Sequence, residues 1–459
     1  MRRSIVRGRR SVRRWADAAL ALSLAVLAGC GGRNEPRYGP IPEPAPPPAP
    51  SRPVDPAPPP RFEPAPAPAA NAPAVRVGVV VDVSSGTVSS RSGLTVETER
   101  GDNIDELEQG RSVAFTADGD GIALTVLDRD GAPVGRTHRG LGSPVVVRAA
   151  DGGEEVEVRG TAYRGAILVQ NAGRRGITFV NRLDIESYLL GVVPREIGPA
   201  DQSAYEAIKA QAVAARTYTV KNMGRRTQLG FDVYASTADQ VYGGASAERE
   251  LVSRAVRETA GEVLMYGGRP IDAYYHSTCA GRTAAIHEVW NVNPVPYLVS
   301  VEDEDPRTGE AFDRSSSRFS WTERWSHAQL VSVLNRTLAD SLRGRRIGRI
   351  EDMDVVSRTQ SGRVRALRIS TDAGTFTVGR DRVRWILVPA RGGSLNSSKF
   401  DVRLDRQGGD VVSIVAEGGG WGHGIGMCQV GAIGRARAGQ DYRTILETYY
   451  PGTRLERMY

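Results

Sequence analysis

The chain has 459 residues, enough for two or three domains. It carries 60 Lys and Arg against 53 Asp and Glu, a formal net charge of +7. Seven arginines and one acid lie within residues 1–29, and the remaining 53 basic and 52 acidic residues nearly cancel. A nearly neutral body offers no bulk attraction to phosphate backbones, so the composition argues against a nucleic-acid-binding protein.

The first residues have the pattern of an export signal. Residues 1–29 combine the arginine-rich start with a short apolar segment at 18–27, too short to span a bilayer stably. The sequence Leu-Ala-Gly-Cys at 27–30 is typical of a lipoprotein signal, in which Cys30 becomes the first mature residue and carries lipid. Cleavage without lipidation and an uncleaved anchor are the alternatives. We therefore expect a lipoprotein signal peptide, and an exported protein that is lipid-anchored to the cell envelope and faces the periplasm or the cell wall.

Residues 30–74 separate this anchor from the folded part. They are rich in Pro and Ala, a composition that buries little surface and favours polyproline II. At about 3.1 Å per residue the segment could reach on the order of 100 Å. We expect a tether that holds the folded part away from the membrane, and a proline-rich partner-binding motif is the alternative.

The folded part is predicted to begin near residue 75 with β-structure. The apolar, β-branched run VRVGVVVDV at 75–83 predicts a strand, and further short runs follow between Asp-Gly and Gly-rich turns. These runs lie at 93–98, 113–116, 122–127, 144–148 and 155–158. They indicate a β-rich region over 75–165, followed by a hairpin across 171–175.

Helical patterns begin at residue 184. Asp184 can cap a helix that runs to Gly191, and Ser203-x-x-Glu206 has the form of a capping box that opens a helix to about Val220. Further helices are predicted at 247–259, 327–341, 427–438 and 442–450, and strands at 346–416. We assign the chain to the α+β class, with the β-rich region leading into a mixed helix and strand domain at 166–459.

Glu196 is the first candidate for chemistry. It follows Pro194 and precedes Gly198-Pro199, so we expect it in a non-helical corner that projects a carboxyl group into a cleft. Such a group can act as a general acid and base. From spacing alone, the alternative is a carboxylate that pairs with a helix N-terminus or a nearby arginine. Four other acids compete with it: Asp184, Glu186, Glu206 and Asp239.

A glycine-rich loop at 417–432, EGGGWGHGIGMCQVGA, is the second candidate. Glycines allow positive φ and a close approach of the backbone to a ligand. Trp421 could stack on a sugar ring, while His423 and Gln429 could hydrogen-bond hydroxyl or acetamido groups. The alternative is a tight turn that places Trp421 in the core.

Two shorter segments also carry polar residues. Asp239-Gln240-Val241-Tyr242 could hold a sugar by hydrogen bonds and stacking, or form a hydrogen-bonded loop. His276-Ser277 follows an apolar strand, where a histidine can orient a carboxylate or bind metal. One His and one Cys three residues apart are weak support for zinc, which usually takes four ligands. We expect no metal and no cofactor.

Together these segments resemble the SpoIID/LytB family, which includes sporulation stage II protein D and bacterial amidase enhancers. The resemblance rests on the blocks 181–219, 233–244, 271–283 and 418–432. It implies a peptidoglycan lytic transglycosylase that cleaves the glycan between MurNAc and GlcNAc and leaves 1,6-anhydro-MurNAc ends. Glu196 stands at the position of the family's catalytic glutamate, in G-V-V-x-x-E. The matching segments imply these substrate-binding residues: Arg216, Asp239, Gln240, Tyr242, His276, Ser277, Trp421, His423 and Gln429.

The resemblance leaves a non-catalytic alternative open. Amidase-enhancer members imply a peptidoglycan-binding protein that presents substrate to a separate cell-wall amidase, and an envelope scaffold is a third hypothesis. The expected partners are peptidoglycan glycan strands, the membrane through the N-terminal lipid, and, for the alternative, a cell-wall amidase. No nucleic acid is expected. The β-rich region and the tether lie outside the resemblance, so a role in spore formation is not carried over.

Cys279 and Cys428 stand where family members often have serine. Both would face an oxidising compartment after export, and a pair there is compatible with one disulfide. We predict that bond, because both cysteines lie in segments that should frame the same cleft. Shared metal ligation with His276 or His423 is the rival, and two buried, reduced cysteines are a third outcome.

Overall fold

The computed structural model describes residues 71–153 and 155–459. The predicted signal peptide at 1–29, the lipidated Cys30 and nearly all of the tether at 30–74 lie outside these residues. Within the described ranges, no helix is both long and apolar enough to cross a membrane. Helices and several sheets occur together, which confirms the α+β assignment.

Ten short strands open the described chain, and six of them overlap the predicted β-branched runs, while the other four were not predicted. They are β1 (Ala74–Val83), β2 (Ser85–Ser89), β3 (Leu94–Thr98), β4 (Asn103–Leu107), β5 (Ser112–Asp118), β6 (Gly121–Leu127), β7 (His138–Leu141), β8 (Val145–Ala149), β9 (Val156–Val158) and β10 (Thr161–Tyr163). Six of them form a sheet in the order β10-β9-β2-β5-β6-β7. Their buried faces contribute to the larger hydrophobic core of the protein.

A second sheet of seven strands continues past residue 165. Three later strands enter it: β11 (Ala166–Asn171), β12 (Ile177–Asp184) and β13 (Val233–Tyr234). Its order is β13-β1-β12-β11-β8-β3-β4, and β11 and β12 form the predicted hairpin. The β-rich region therefore shares a sheet with the segment that follows it. β12 leads directly into the helix that carries Glu196.

Three helices pack on this core: α1 (Ile185–Glu196), α2 (Tyr205–Asn222) and α3 (Glu250–Glu258). Asp184 caps α1 as predicted, because its carboxylate accepts a hydrogen bond from the Ser187 N–H at 3.0 Å. The helix does not stop at Gly191, so Glu196 is its last residue and the predicted non-helical corner is wrong. Pro194 lies inside α1 and has no N–H to donate to the Leu190 carbonyl, but the helix continues past it and closes with a hydrogen bond from the Ile197 N–H to the Val193 carbonyl at 3.1 Å.

The predicted capping box at Ser203 is also wrong. Asp201 caps a short 3-10 turn ahead of α2 and accepts the hydrogen bond from the Ser203 N–H at 3.0 Å. Glu206 instead accepts from the Tyr442 N–H at 2.9 Å. The Glu206 side chain, which the local pattern assigned to capping, therefore bonds a distant segment instead.

The central part of the chain adds strands and short helices. They are β14 (Glu262–Tyr266), β15 (Arg269–Pro270), β16 (Tyr275–His276), α4 (Ile286–Val289), β17 (Trp321–Ser326), α5 (His327–Thr337), α6 (Ala339–Leu342), β18 (Ile350–Arg358), β19 (Val364–Thr371), β20 (Gly374–Gly379), α7 (Arg382–Ile386), β21 (Phe400–Gln407) and β22 (Asp410–Gly418). From β17 to β22 the buried side chains form a second hydrophobic core, with sheets β17-β22-β21 and β18-β19-β20. We call residues 321–418 the β17–β22 module.

After this module the chain returns to the first core. The returning elements are β23 (Met427–Cys428), α8 (Gln429–Arg437), α9 (Tyr442–Tyr449) and β24 (Arg454–Arg457). β23 pairs in parallel with β16, which sets Cys428 opposite His276. α8 packs on α2, and β24 pairs with β14. The return brings the glycine-rich loop beside the strand of His276.

Candidate active site

Glu196, at the end of α1, lines a cleft and is half-buried. Its Oε1 accepts a hydrogen bond from the Val241 N–H at 2.6 Å, and its carboxyl group also hydrogen-bonds the Gln429 side chain. Burial raises the pKa of Glu196 to about 7, although both hydrogen bonds act in the opposite direction. A carboxyl group with this pKa holds a proton at neutral pH and can also release it.

Close packing of α1 explains how Val241 reaches this carboxyl group. Gly191 lies against the Tyr242 ring and the Gly244 carbonyl, and a Cβ on Gly191 would lie 2.5 Å from the ring and 2.7 Å from the oxygen. Only glycine allows this approach. This close packing holds the segment after β13 along α1 and places the Val241 N–H within hydrogen-bonding distance of the Glu196 carboxyl group.

The glycine-rich loop forms another wall of the cleft. Thr278 and Trp421 exchange two backbone hydrogen bonds, of 3.1 and 2.8 Å. Gly422, with φ +109°, passes so close to His276 that a Cβ would lie 2.9 Å from the His276 Cβ. Trp421 is 48% exposed, so the alternative that placed it in the core is wrong.

These segments and the β17–β22 module enclose a cleft of about 810 Å³. Seven of the predicted site residues meet in its lining: Glu196, Asp239, His276, Ser277, Trp421, His423 and Gln429. The module contributes Asp381, Arg384, Trp385 and Ser394. A space of this size, with one wall of polar groups and exposed aromatic rings, suits a carbohydrate.

His276 and His423 lie with ring centres 5.6 Å apart in this lining. His276 Nδ1–H donates to the Ile425 carbonyl at 3.2 Å, and His423 Nδ1 accepts from the Ile425 N–H at 3.0 Å. Burial and the nearby guanidinium groups of Arg384 and Arg363 lower the pKa of His423 to about 3, and burial lowers the pKa of His276. Both rings are therefore neutral hydrogen-bonding groups at neutral pH.

Arg216, which the resemblance assigned to substrate binding, lies outside the cleft. Its side chain is fully buried and donates to the Glu186 carboxylate at 2.8 and 2.7 Å. It also donates to the carbonyls of Glu262 and Val256, and Glu186 accepts from the Tyr459 hydroxyl at 2.6 Å. The predicted contact of Arg216 with substrate is wrong, because this ion pair joins buried elements of the core. The same contacts exclude Glu186 as a catalytic acid.

Gln240 and Tyr242 require the same correction. The Gln240 side chain accepts from the Thr219 hydroxyl at 2.7 Å and donates to the Tyr275 hydroxyl at 3.0 Å. The Tyr242 hydroxyl donates to Asn181 at 2.9 Å. Both side chains are buried beneath the cleft, where they fix the loop that follows β13.

Asp239 lines the cleft, but its carboxylate is already engaged. It accepts hydrogen bonds from the Tyr218 hydroxyl at 3.0 Å, from Arg226 at 2.9 Å and from the Tyr234 N–H at 2.8 Å. Its side chain is almost completely buried. These contacts match the alternative of a hydrogen-bonded loop.

Cys279 and Cys428 are neighbours and both are free thiols in this structure, while the disulfide between them stays a prediction. Cys428 Sγ accepts from the Cys279 N–H and the Gly431 N–H, both at 3.3 Å. The Cys279 thiol donates to Asp303 at 3.2 Å. Burial raises the pKa of both thiols, to about 11 for Cys428. The third outcome, two buried and reduced cysteines, describes the structure.

Two overlapping sets of side chains near these cysteines have ligand atoms within 4.8 Å of one another. One set is His276, Cys279 and Cys428, and the other is Cys279, Asp303 and Asp313. Each supplies three ligand atoms, one fewer than a structural zinc site takes. Asp313 already accepts the Cys279 N–H at 2.8 Å.

The cleft residues that the β17–β22 module supplies were not predicted from the sequence. Arg384 and Trp385 lie on α7, far along the chain from Glu196. Arg384 is held by the Leu395 carbonyl at 2.8 Å and by Asp381 at 3.3 Å. The available signal was a tryptophan among arginines, RVRW, in a short helix.

Two family profiles match this chain. One, described as Stage II sporulation protein (SpoIID), matches residues 173–266, which include α1 and Glu196. The other, described as a domain of unknown function (DUF8618), matches residues 307–426, which include the β17–β22 module and Trp421.

Curated relatives agree with the first profile. The chain is 35% identical over 298 residues to an amidase enhancer of Bacillus subtilis (strain 168), covering 58% of this chain and 40% of the relative. It is 31% identical over 292 residues to stage II sporulation protein D of the same organism, covering 60% of this chain and 75% of the relative. An uncharacterised protein of Brachyspira hyodysenteriae is 35% identical over 274 residues, with 60% and 67% covered. The chain thus spans less than half the length of the amidase enhancer.

Proposed function

The chain belongs to the SpoIID/LytB family, and from this membership we propose that it is a lytic transglycosylase of bacterial peptidoglycan. The reaction cleaves the glycan strand between MurNAc and GlcNAc and leaves a 1,6-anhydro-MurNAc end. Glu196 carries the proposal, because it is a half-buried carboxyl group with a pKa of about 7 in a cleft large enough for sugar residues.

Glu196 would supply both proton transfers. Its protonated carboxyl group donates to the glycosidic oxygen as the bond from that oxygen to C1 of MurNAc breaks. The resulting carboxylate then takes the proton of the C6 hydroxyl of the same MurNAc, whose oxygen attacks C1. Between these steps the Val241 N–H and the Gln429 side chain stabilise the carboxylate.

The supply of carboxyl groups favours this reaction over hydrolysis. Among the described residues that line the cleft, the other acids are Asp239 and Asp381. Asp239 accepts three hydrogen bonds, and Asp381 pairs with Arg384 at 3.3 Å. A hydrolysing glycosidase uses a second, available carboxylate, whereas attack by the substrate's own hydroxyl does not need one.

The test is the product formed from purified peptidoglycan, identified by mass spectrometry. We expect anhydro-MurNAc ends from the wild-type protein and a rate about 10²–10⁴-fold lower from Glu196→Gln, which keeps the shape and removes the transferable proton. Glu417→Gln is the matched control, because Glu417 is an exposed glutamate on β22 that does not line the cleft. A folded Glu196→Gln variant with full activity would reject the assignment.

The name of one relative supports a second candidate, a peptidoglycan-binding protein that enhances a cell-wall amidase. This function needs the cleft as a binding site but does not need the proton of Glu196. It predicts that Glu196→Gln still accelerates a purified amidase on peptidoglycan and that no anhydro ends appear with either form.

We also propose that the protein acts outside the cytoplasm, anchored by lipid on Cys30. The proposal rests on the signal pattern at 1–29 and the Leu-Ala-Gly-Cys sequence that ends at Cys30. Cys30→Ala is expected to move the protein from the membrane fraction to the soluble fraction. Unchanged membrane association of that variant would argue for an uncleaved anchor instead.

A further inference from the structure

The cleft continues past Trp385 into a second pocket of about 670 Å³, which we call the side pocket. The two spaces share Trp290, Asp381 and Trp385 in their linings. Trp385 is 59% exposed, and exposed aromatic side chains of this size are typical of ligand-binding surfaces. The side pocket therefore begins where the cleft ends and belongs mostly to the β17–β22 module.

The lining of the side pocket is basic. It includes Arg365, Arg380 and Arg382, and within residues 71–153 and 155–459 the side chains of Arg365 and Arg382 have neither a hydrogen bond nor an ion pair. The acid in this lining is Asp381, whose carboxylate already pairs with Arg384 at 3.3 Å. Two exposed guanidinium groups are thus left without a counter-charge.

Arg380 is the third arginine of the lining, and its position is fixed. Its φ of +54° lies in the left-handed region, which residues other than glycine rarely adopt. Its Nη1 donates to Asn291 at 2.6 Å, across the side pocket lining. Backbone strain of this kind concentrates at ligand sites, where the surrounding structure holds it.

We propose that the side pocket binds carboxylate groups of the stem peptide on a glycan strand held in the cleft, so that the protein acts on peptide-bearing peptidoglycan. The inference rests on the proposed function, because it takes the cleft to hold the glycan. Guanidinium groups pair with carboxylates through two parallel hydrogen bonds. The apolar surfaces of Trp385, Trp290 and Val289 suit the methyl and methylene groups of a short peptide. A phosphate polymer of the wall would match the charge but not this apolar lining.

The test compares two substrates that differ in the peptide. Intact sacculi, and sacculi whose stem peptides an amidase has removed, are incubated with the full-length protein, and new anhydro-MurNAc ends are counted. Arg365→Glu/Arg382→Glu reverses both unpaired charges. Arg336→Glu/Arg346→Glu is the matched control, because it reverses two exposed arginines of the same module that line a different pocket.

We expect the Arg365→Glu/Arg382→Glu variant to lose about tenfold in rate on intact sacculi at low substrate concentration. Its rate on stripped sacculi should stay within about twofold of wild type, and the control should match wild type on both. Equal effects on the two substrates, whether both rates fall or neither does, overturn the inference.

Sedimentation with sacculi separates this inference from the proposed function, because binding needs no catalysis. The two charge-reversed pairs are placed in the Glu196→Gln background, and the bound fraction is measured on both kinds of sacculi. If wild type forms no anhydro ends, the proposed function fails. In that case a loss of binding by Arg365→Glu/Arg382→Glu on intact sacculi alone still supports the side pocket. Equal binding of the two charge-reversed pairs to intact sacculi rejects it. A loss of wild-type binding after hydrofluoric acid has removed phosphate polymers would assign the pocket to phosphate and overturn the inference.

Discussion

The acidity of Glu196 depends on opposing effects of its neighbours. Burial favours the protonated carboxyl group, while the Val241 N–H and the Gln429 side chain favour the carboxylate. Gln429 in turn donates to Gln211 on α2 at 3.3 Å. α2 and α8 therefore both position one of the groups that favour the carboxylate of Glu196. Burial outweighs these groups, and the balance leaves a carboxyl group able to give and to take a proton near pH 7.

We predict that Glu196→Gln stabilises the fold at high pH. The folded-state pKa of about 7 lies above the ordinary value of 4.5, so the unfolded chain ionises first. The stability that the protonated group contributes is fully present below pH 4.5 and is lost as the pH rises through 7. Glutamine cannot ionise. The difference in free energy of unfolding between Glu196→Gln and wild type should therefore favour the variant more at pH 8.5 than at pH 4, by on the order of 1–3 kcal/mol. Urea unfolding at both pH values measures the gain, and an equal gain at both would contradict the raised pKa.

For single residues, the sequence predicted position in the cleft better than the role of each side chain. Glu196, Trp421 and Gln429 carry local signals, namely an acid after a proline and a loop of alternating glycines, and all three line the cleft. Arg216 and Gln240 lie in the same resembling segments but are buried. Spacing cannot separate the two cases, because neighbouring positions on one helix or loop point in different directions.

At the scale of elements, the glycine-rich loop depends on glycines for two separate reasons. Gly426 has φ +69°, and a Cβ there would lie 2.0 Å from the Tyr274 carbonyl oxygen. Gly439, after α8, has φ +88° but open space around its missing Cβ. The two positions therefore separate backbone strain from steric overlap.

We predict that Gly426→Ala destabilises the protein by about 2–5 kcal/mol, since left-handed strain and overlap with a carbonyl add together. Gly439→Ala should cost only about 1–2 kcal/mol, because strain acts alone there. Chemical unfolding gives both values, and the rate of anhydro-MurNAc formation should fall only for Gly426→Ala. Equal losses of stability in the two variants would show that overlap with the Tyr274 carbonyl adds nothing to the cost of strain.

Most helices and strands follow from local pattern, but their ends do not. α1 continues past Gly191 to Glu196 because close packing against Tyr242 and Gly244 holds its last turns. α2 begins without the predicted capping box because Glu206 bonds the N-terminus of α9 instead. In both cases a contact between distant segments overrides the local signal, and such contacts cannot be read from one stretch of sequence.

At the scale of the whole molecule, residues 71–153 and 155–459 form two large hydrophobic cores and one small cluster around Phe231. The first core joins the early sheets, α1 to α3 and the returning C-terminal helices, and the second core lies within the β17–β22 module. The sequence predicted strands at 346–416, the region of β18 to β22, but neither β17 nor a separate core, because apolar runs do not reveal which sheet they pack against. The cleft lies where residues of both parts meet.

We predict two thermal transitions in calorimetry. Trp325 is fully buried in the second core, where its Nε1–H donates to the Val388 carbonyl at 2.9 Å. Trp325→Ala should reduce the free energy of unfolding of the module by about 3–5 kcal/mol and lower only the transition temperature of the module. Phe179→Ala removes a side chain of the first core and should lower only the transition temperature of that core. A single transition that both variants shift would mean that the two cores unfold together.

The order of the segments along the chain sets when the cleft can exist. Gln211 and Gln429, which meet beside Glu196, are 218 residues apart. This contact can form only once residue 429 has been synthesised, so it requires almost the whole chain. Until then Glu196 lacks the hydrogen bond from Gln429, one of the neighbours that act on its pKa. The complete set of contacts at Glu196 is therefore a property of the full chain, and a fragment that ends before α8 would lack it.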